Sequence, residues 1–276
     1  MAELNLRTNR KDINKRISEG CGQGTGADYK PVIQVRDFSS KGLSTQGKGW
    51  KTGRIHHFLS TLEFSYFYAL EWSPVVTDIR EQYPLPIEET LEIAKQYNIS
   101  HPINPDTQEP NVMTTDFVVT TRQNMGIVNQ ARTVKSCHEL QKPRVLEKLE
   151  IERRYWELRN ISWGIVTERE IPAVLVENVK WLHKTFHASD LSPLSEGDIY
   201  QITALLTQCV IQEKASLKNI AAECDARLGL EIGDSLTVAR HLIANRKWLI
   251  DMNQPLPTQI REKLIFRASP FIEPYR

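Results

Sequence analysis

The chain has 276 residues, of which 40% are hydrophobic and 25% charged, with six Trp and a net charge of +1. It is long enough for one or two hydrophobic cores and too apolar to remain disordered. Its longest apolar run, Ile171 to Val176, is far short of the roughly 20 residues of a bilayer span, and no basic-then-apolar leader is visible, so a cytoplasmic protein without a membrane span is expected. Cys21, Cys137, Cys209 and Cys224 are scattered, which argues for reduced thiols and against a disulfide scaffold or a closed zinc cage.

Charge is unevenly spread. Residues 1–60 hold 11 Lys and Arg against 5 Asp and Glu, residues 61–170 hold 12 against 17, and the remainder balances at 12 of each. A basic arm before an acidic centre suits a polyanion gripped by the arm while clustered carboxylates hold cations; a solvated tail carries the same signature.

Glycines 20, 22, 24 and 26, the alternating stretch Val32 to Val35, and the runs Ser39 to Gly42 and Gly47 to Gly49 predict loops around one short strand. The Gly20 to Gly26 run lacks a strand before it and a Gly-Lys-Ser/Thr after it, so it is not a nucleotide-binding loop. Ser60 to Trp72 is apolar almost all round, as in a buried helix. Val75 to Gln82 predicts a strand, Pro86 to Tyr97 a helix, and Pro102, Pro105 and Pro110 a loop. Thr114 to Thr121 and Ile127 to Lys135 are rich in β-branched residues and flank Arg122 to Gly126, which predicts a hairpin. Pro143 opens a long helix through Arg159, and Ile161 to Thr167 is a further strand. This order gives an α/β fold, a mixed sheet flanked by helices.

Beyond about residue 171 the pattern becomes helical. Ile202, Leu205, Leu206, Cys209 and Val210 form an amphipathic stripe, Leu217, Ile220, Ala221 and Cys224 repeat it after a Ser216 cap, and Leu236, Ala239 and Ile243 follow Asp234. Trp248 to Met252 reads as a strand turning at Asn253 to Pro255. Helices followed by a β-wing outline a winged-helix-like domain, and the expected domains are 1–168 and 169–276.

By the two-residue period of strands, Asp116 shares a face with Val118, and Thr133 shares one with Lys135. If the two strands pair, Asp116 and Lys135 lie within a few Å of each other. A carboxylate for a divalent cation beside a lysine for the attacking water is a hydrolytic device, although an edge salt bridge fits the same spacing. Glu63, on the apolar helix, is a second acid that burial would make costly unless paired or metal-bound. It also completes a capping box with Ser60, reaching back to the Ser60 amide. His56-His57 and Cys137-His138 fit no tetrahedral zinc site. Lys51, Arg54, His56 and His57 close the basic arm as candidate DNA contacts, with core or surface packing as the competing reading for the histidines. Arg240, Arg246 and Lys247 are further candidates, although the neutral charge of this half favours protein docking.

The blocks His56 to Glu63, Leu70-Glu71-Trp72, Asp78 to Leu85, Thr115-Asp116-Phe117, Val134-Lys135 and Leu146 to Trp156 occur together in the order seen in the TnsA family, which they resemble. Members of that family are the restriction-endonuclease-like subunits of heteromeric bacterial transposases. The resemblance is strong over about residues 15–170 and looser beyond. It implies a PD-(D/E)XK core in which Glu63, Asp116 and Lys135 are catalytic, and Glu63 and Asp116 hold two Mg2+ ions, with Mn2+ able to substitute. Thr133 occupies the position of a further metal ligand, usually glutamine; Gln130 is out of register for it, and Glu152 is an additional, weaker candidate. The resemblance also implies hydrolysis of the 5′ strands at transposon-end DNA, beside a TnsB-like DDE transposase that cuts and joins the 3′ ends. A TnsC-like AAA+ ATPase would dock on the C-terminal domain. The alternatives are a DNA-bound adaptor with a decayed site, for which Thr133 would be the first sign, and a stand-alone restriction-type nuclease.

Overall fold

The structure, a computed structural model, describes residues 10–37, 44–124, 126–212, 215–256 and 266–268, and divides into the units Met1–Ile171 and Pro172–Arg276. The expected loop at 39–42 and Met125 of the hairpin turn lie outside the described residues. Among the described residues no helix is long and apolar enough to cross a membrane.

The first unit runs α1 (Arg10–Ser18), β1 (Thr45–Lys48), β2 (Ile55–Phe58), α2 (Thr61–Trp72), β3 (Val76–Pro84), α3 (Ile87–Gln96), β4 (Thr114–Gln123), β5 (Gly126–Val134), α4 (Pro143–Glu157) and β6 (Ser162–Val166). Strands β3, β4, β5 and β6 lie in that order in one sheet; the first three are antiparallel, and β6 runs parallel to β5. A parallel neighbour requires a crossover, and α4 supplies it, with Pro143 in the first turn where a missing N–H costs nothing. On one face of the sheet, Val118 and Ala131 pack with Leu85, Ile93, Ile151, Tyr155 and Trp156. On the other, Phe117 meets Phe58 and Tyr66, and Phe58 lies 4.7 Å from Phe67.

The expected strand at Val32 to Val35 does not form. Val32 and Ile33 are instead buried beside Ile13, Ile87 and Val112, and the chain passes into a 3-10 turn at Val35–Asp37. Arg16 donates to the Val32 carbonyl at 3.0 Å and forks onto Asp37, so a side chain satisfies backbone that a ladder would otherwise have to pair. The strands of this region are β1, which carries Gly47, and β2. At Gly47 a Cβ would come within 2.9 Å of the Phe64 ring, so only glycine lets β1 approach α2 this closely.

A buried carboxylate ties this hairpin to the sheet. Glu81 of β3 is fully buried and takes both arms of the Arg54 guanidinium (2.5 and 2.7 Å), Nδ1–H of His56 (2.8 Å) and the His57 amide (3.1 Å). Burial opposes its ionisation, but His56 and Arg54 outweigh burial and hold the carboxyl below the usual range. Burial lowers the pKa of His56, favouring a neutral ring that accepts from Thr52 on its far nitrogen. Arg54 and His56 were expected as DNA contacts; the structure assigns them to this network.

A second buried acid, Glu71, accepts the Trp50 and Lys51 amides at 2.6 and 3.3 Å and so closes the turn between β1 and β2, while its Oε1 has no hydrogen-bond partner.

The second unit comprises α5 (Ala173–Leu182), α6 (Glu196–Gln212), α7 (Leu217–Leu228), α8 (Asp234–Ala244), β7 (Trp248–Ile250) and β8 (Phe266–Ala268), the last two antiparallel. Ser216 caps α7 by accepting the Asn219 amide, and Gly229, left-handed at φ 68°, ends it. The cap of α8 differs from expectation. Asp225 of α7 accepts the Gly233 and Ser235 amides at 2.8 Å each, whereas Asp234 turns back to the Glu231 amide. The Asn178 side chain of α5 holds the carbonyls of Met252 and Gln254 and the Leu256 amide, fixing the chain beyond β7.

Two outcomes follow. Arg54→Ala leaves the Glu81 charge buried without its fork and should cost about 3–5 kcal/mol in chemical denaturation, far more than loss of a surface DNA contact. Burial holds Glu71 up at about 7, against an ordinary 4.5, so the folded chain binds this proton more tightly than the unfolded one. The stabilisation is complete at acid pH and is lost as pH rises towards 7; Glu71→Gln should remove roughly 2–3 kcal/mol of the decline between pH 5 and pH 8, read from denaturation at both values.

Candidate active site

Strands β4 and β5 pair from Gln123 and Gly126 as far as Phe117 and Arg132, where the ladder stops. One residue further, the Asp116 side chain replaces it: Oδ2 accepts the Val134 amide at 2.7 Å and the Lys135 ammonium at 2.9 Å. The strands splay without orphaning the amide, because the carboxylate stands where a carbonyl would have been. Asp116 and Lys135 are thus brought together as the hairpin spacing predicts. Burial works against the Lys135 ammonium, but Asp116 and Glu63 outweigh burial and raise its pKa above the ordinary value.

Glu63 enters from the first turn of α2 and is 5% exposed. Ser60 Oγ accepts the Glu63 amide at 3.1 Å, and the carboxylate accepts the Leu59 amide (2.9 Å), the Ser60 hydroxyl (2.9 Å) and the Gln82 side-chain amide (3.3 Å). The expected capping box forms by half: Ser60 caps the Glu63 amide, but the Glu63 carboxylate reaches the Leu59 amide instead of that of Ser60. Capping and a place in the site are compatible, because the fields of Asp116 and Lys135 both act on this carboxyl. Burial pushes it up to about 7, reinforced by the Asp116 charge and opposed by the Leu59 amide and Lys135.

Glu152 of α4 is 3% exposed at the same end of the sheet. It accepts the Thr133 hydroxyl and, at 3.1 Å, the Trp163 indole N–H. Burial and then Asp116 raise it, also to about 7. Thr133, expected as a metal ligand, therefore spends its proton on Glu152.

Three buried carboxyl groups, Glu63, Asp116 and Glu152, surround one ammonium. Among the described residues no three His, Cys, Asp or Glu side chains form a metal cage. The donors are all oxygen, however, and a hard divalent cation that keeps several waters needs only one or two protein carboxylates. The excess of buried negative charge and the hard donor set fit such an ion.

Sequence reasoning passed over Gln82 and Trp163, which donate to Glu63 and Glu152. The available signal was a glutamine inside a strand, which cannot be buried without partners. The other expected contacts are scattered. Lys51 Nζ donates to the Ser73 carbonyl at 2.8 Å, and His57 Nδ1 accepts the Val35 amide at 3.3 Å. Arg240 donates to the Trp181 carbonyl and lies 4.9 Å over the Trp181 ring, and burial lowers its pKa, so its work is within the fold. Arg246, exposed and left-handed at φ 55°, and the half-buried Lys247 follow α8.

The chain is similar to known proteins along most of its length. The family described as TnsA-like endonuclease N terminal matches residues 73–168, and the family described as TnsA endonuclease C terminal matches residues 170–252. Transposon Tn7 transposition protein TnsA of Escherichia coli is 40% identical over 255 residues, which cover 89% of this chain and 87% of that protein.

Thr133→Val keeps the shape of the side chain and removes the donor to Glu152. The variant should lose about 1–3 kcal/mol of stability in urea denaturation at pH 8, where Glu152 is largely ionised, and less at pH 5, where it is protonated.

Proposed function

The chain belongs to the TnsA endonuclease family, and on that premise we propose that it is the magnesium-dependent subunit of a transposase that hydrolyses the 5′ strands at transposon ends. The observation that carries this reading is the Asp116 carboxylate gripping the Lys135 ammonium at 2.9 Å where β4 and β5 part, with the buried Glu63 within the field of both.

Glu63 and Asp116 would hold the ions, with the Thr133 hydroxyl oxygen as a neutral donor. Bound there, a divalent cation polarises the scissile phosphodiester and lowers the pKa of water. Lys135, kept charged by its acids, orients the attacking water and offsets the negative charge that grows on the phosphoryl oxygens. Glu152 fixes Thr133 through its hydroxyl. The basic arm grips the phosphate backbone without supplying sequence readout.

In this reading a TnsB-like DDE transposase acts on the 3′ ends, and a TnsC-like ATPase docks on the second unit. The order of α6, α7 and α8 before the β7–β8 pair supports a winged-helix-like module there, and Arg246 and Lys247 are its accessible cations for DNA. The setting is the bacterial cytoplasm. A DNA-bound adaptor with a decayed site is favoured by one observation, the engagement of Thr133 with Glu152 in place of a stronger ligand.

Asp116→Asn and Lys135→Met should each lower 5′-strand cleavage of labelled transposon-end DNA about 100- to 1,000-fold in a reaction reconstituted with the partner subunits, with circular dichroism unchanged. Undiminished cutting by either variant overturns the assignment. Silence of the unsubstituted chain with all partners present favours the adaptor, and efficient cutting without partners indicates a stand-alone nuclease.

A further inference from the structure

In a regular strand, residues two apart share a face. Strand β3 breaks this rule at Gln82. Glu81 turns to Arg54 and His56 on the side of β2 and α2, yet Tyr83 packs at a tilt against Trp156 of α4, with ring centroids 5.6 Å apart, on the opposite side. Strand β4 slips in step. Phe117, paired with Glu81, packs on Phe58 and Tyr66, whereas Thr115, paired with Tyr83, accepts the Trp156 indole N–H at 2.7 Å.

Between these two pairs, position 82 faces position 116 across the ladder. The slip therefore falls on Gln82 and Asp116 themselves. Its cause in β3 is the backbone of Gln82, left-handed at φ 49°, a strained conformation for a residue with a side chain. Gln82 is 1% exposed, and its amide is used at both ends: Nε2 donates to Glu63 Oε2 and Oε1 accepts the Thr114 hydroxyl, each at 3.3 Å. A regular β residue here would aim its side chain at the face of α4, away from α2.

We propose that Gln82 is the positioning residue of the site: its left-handed backbone delivers the side-chain amide to α2, where it sets the orientation of the Glu63 carboxylate towards the divalent cation. The Thr114 hydroxyl fixes the amide in turn, since a carboxamide accepting at oxygen presents its N–H groups on the other side. This inference rests on the metal-dependent reading given above and deepens it. Groups that orient a metal-binding carboxylate through hydrogen bonds change metal affinity about 10- to 100-fold when removed.

The test is Mn2+ binding to the full chain by isothermal titration calorimetry, with thermal unfolding followed in parallel. Gln82→Gly suits it, because glycine adopts the left-handed backbone without strain, so the side chain and its amide are removed while the turn of the strand is kept. The expected result is Mn2+ affinity lowered about 10-fold or more in a chain that still unfolds in one cooperative transition, and binding abolished in Asp116→Asn. If Gln82→Gly binds Mn2+ like the unsubstituted chain while Asp116→Asn does not, the role of Gln82 is overturned and the nuclease reading stands. If the unsubstituted chain and Asp116→Asn bind alike, both fall. Should Gln82→Gly fail to fold, Gln82→Asn decides by the same comparison: asparagine tolerates this backbone and holds its amide one methylene short of Glu63. Weakened binding in it supports the role, and undiminished affinity overturns it.

Discussion

The Asp116 carboxylate is the interaction on which the first unit turns. It ends the ladder between β4 and β5 by taking the Val134 amide, holds the Lys135 ammonium, and imposes its charge on Glu63 and Glu152. One group thus settles where the sheet opens, which cation sits in the opening and how strongly the neighbouring acids resist ionisation. Burying so many acids is tolerable only because each has donors: backbone amides for Asp116 and Glu63, a hydroxyl and an indole for Glu152.

The same constraint operates one strand away with the opposite result. Glu81 is as deeply buried as the acids of the site, but the Arg54 fork and His56 satisfy it completely, leaving nothing for a ligand. The contrast between neighbouring residues is instructive. Glu81 is neutralised by the Arg54 guanidinium and serves the fold, whereas Glu63, Asp116 and Glu152 share the Lys135 ammonium, so a further cation at this end of the sheet would favour their ionised forms.

Elements governed by local periodicity were legible in the sequence. The β-branched runs around Arg122 to Gly126 became β4 and β5, and Pro143 opened α4. The Asp116 and Lys135 pairing was legible for the same reason, since hairpin register carries both residues to one end. The strand expected at Val32 to Val35 failed because apolar alternation there serves a side-chain cluster, and the backbone is satisfied by Arg16, 16 residues away. Arg54 and His56 read as phosphate contacts because a cation looks the same in sequence whether its carboxylate is solvent-borne or, like Glu81, 25 to 27 residues distant. The contact made by Glu152 was hidden for a similar reason. Its place beside Thr133 depends on how α4 crosses the sheet, which no spacing reports. Asp225 as the cap of α8 belongs to the same class, a tertiary contact overriding the nearer Asp234.

The closeness of Gly47 to the Phe64 ring limits how this protein can vary. Any methyl or larger group at position 47 pushes on an aromatic residue one step along α2 from Glu63, so an alteration in a peripheral ribbon is felt at the acid. Gly53, in the turn of the same ribbon, has open space where a Cβ would stand, so its only restriction is its left-handed backbone at φ 70°. Evolutionary drift in this hairpin is therefore steeply graded, closed at its inner strand and admitting asparagine at its tip.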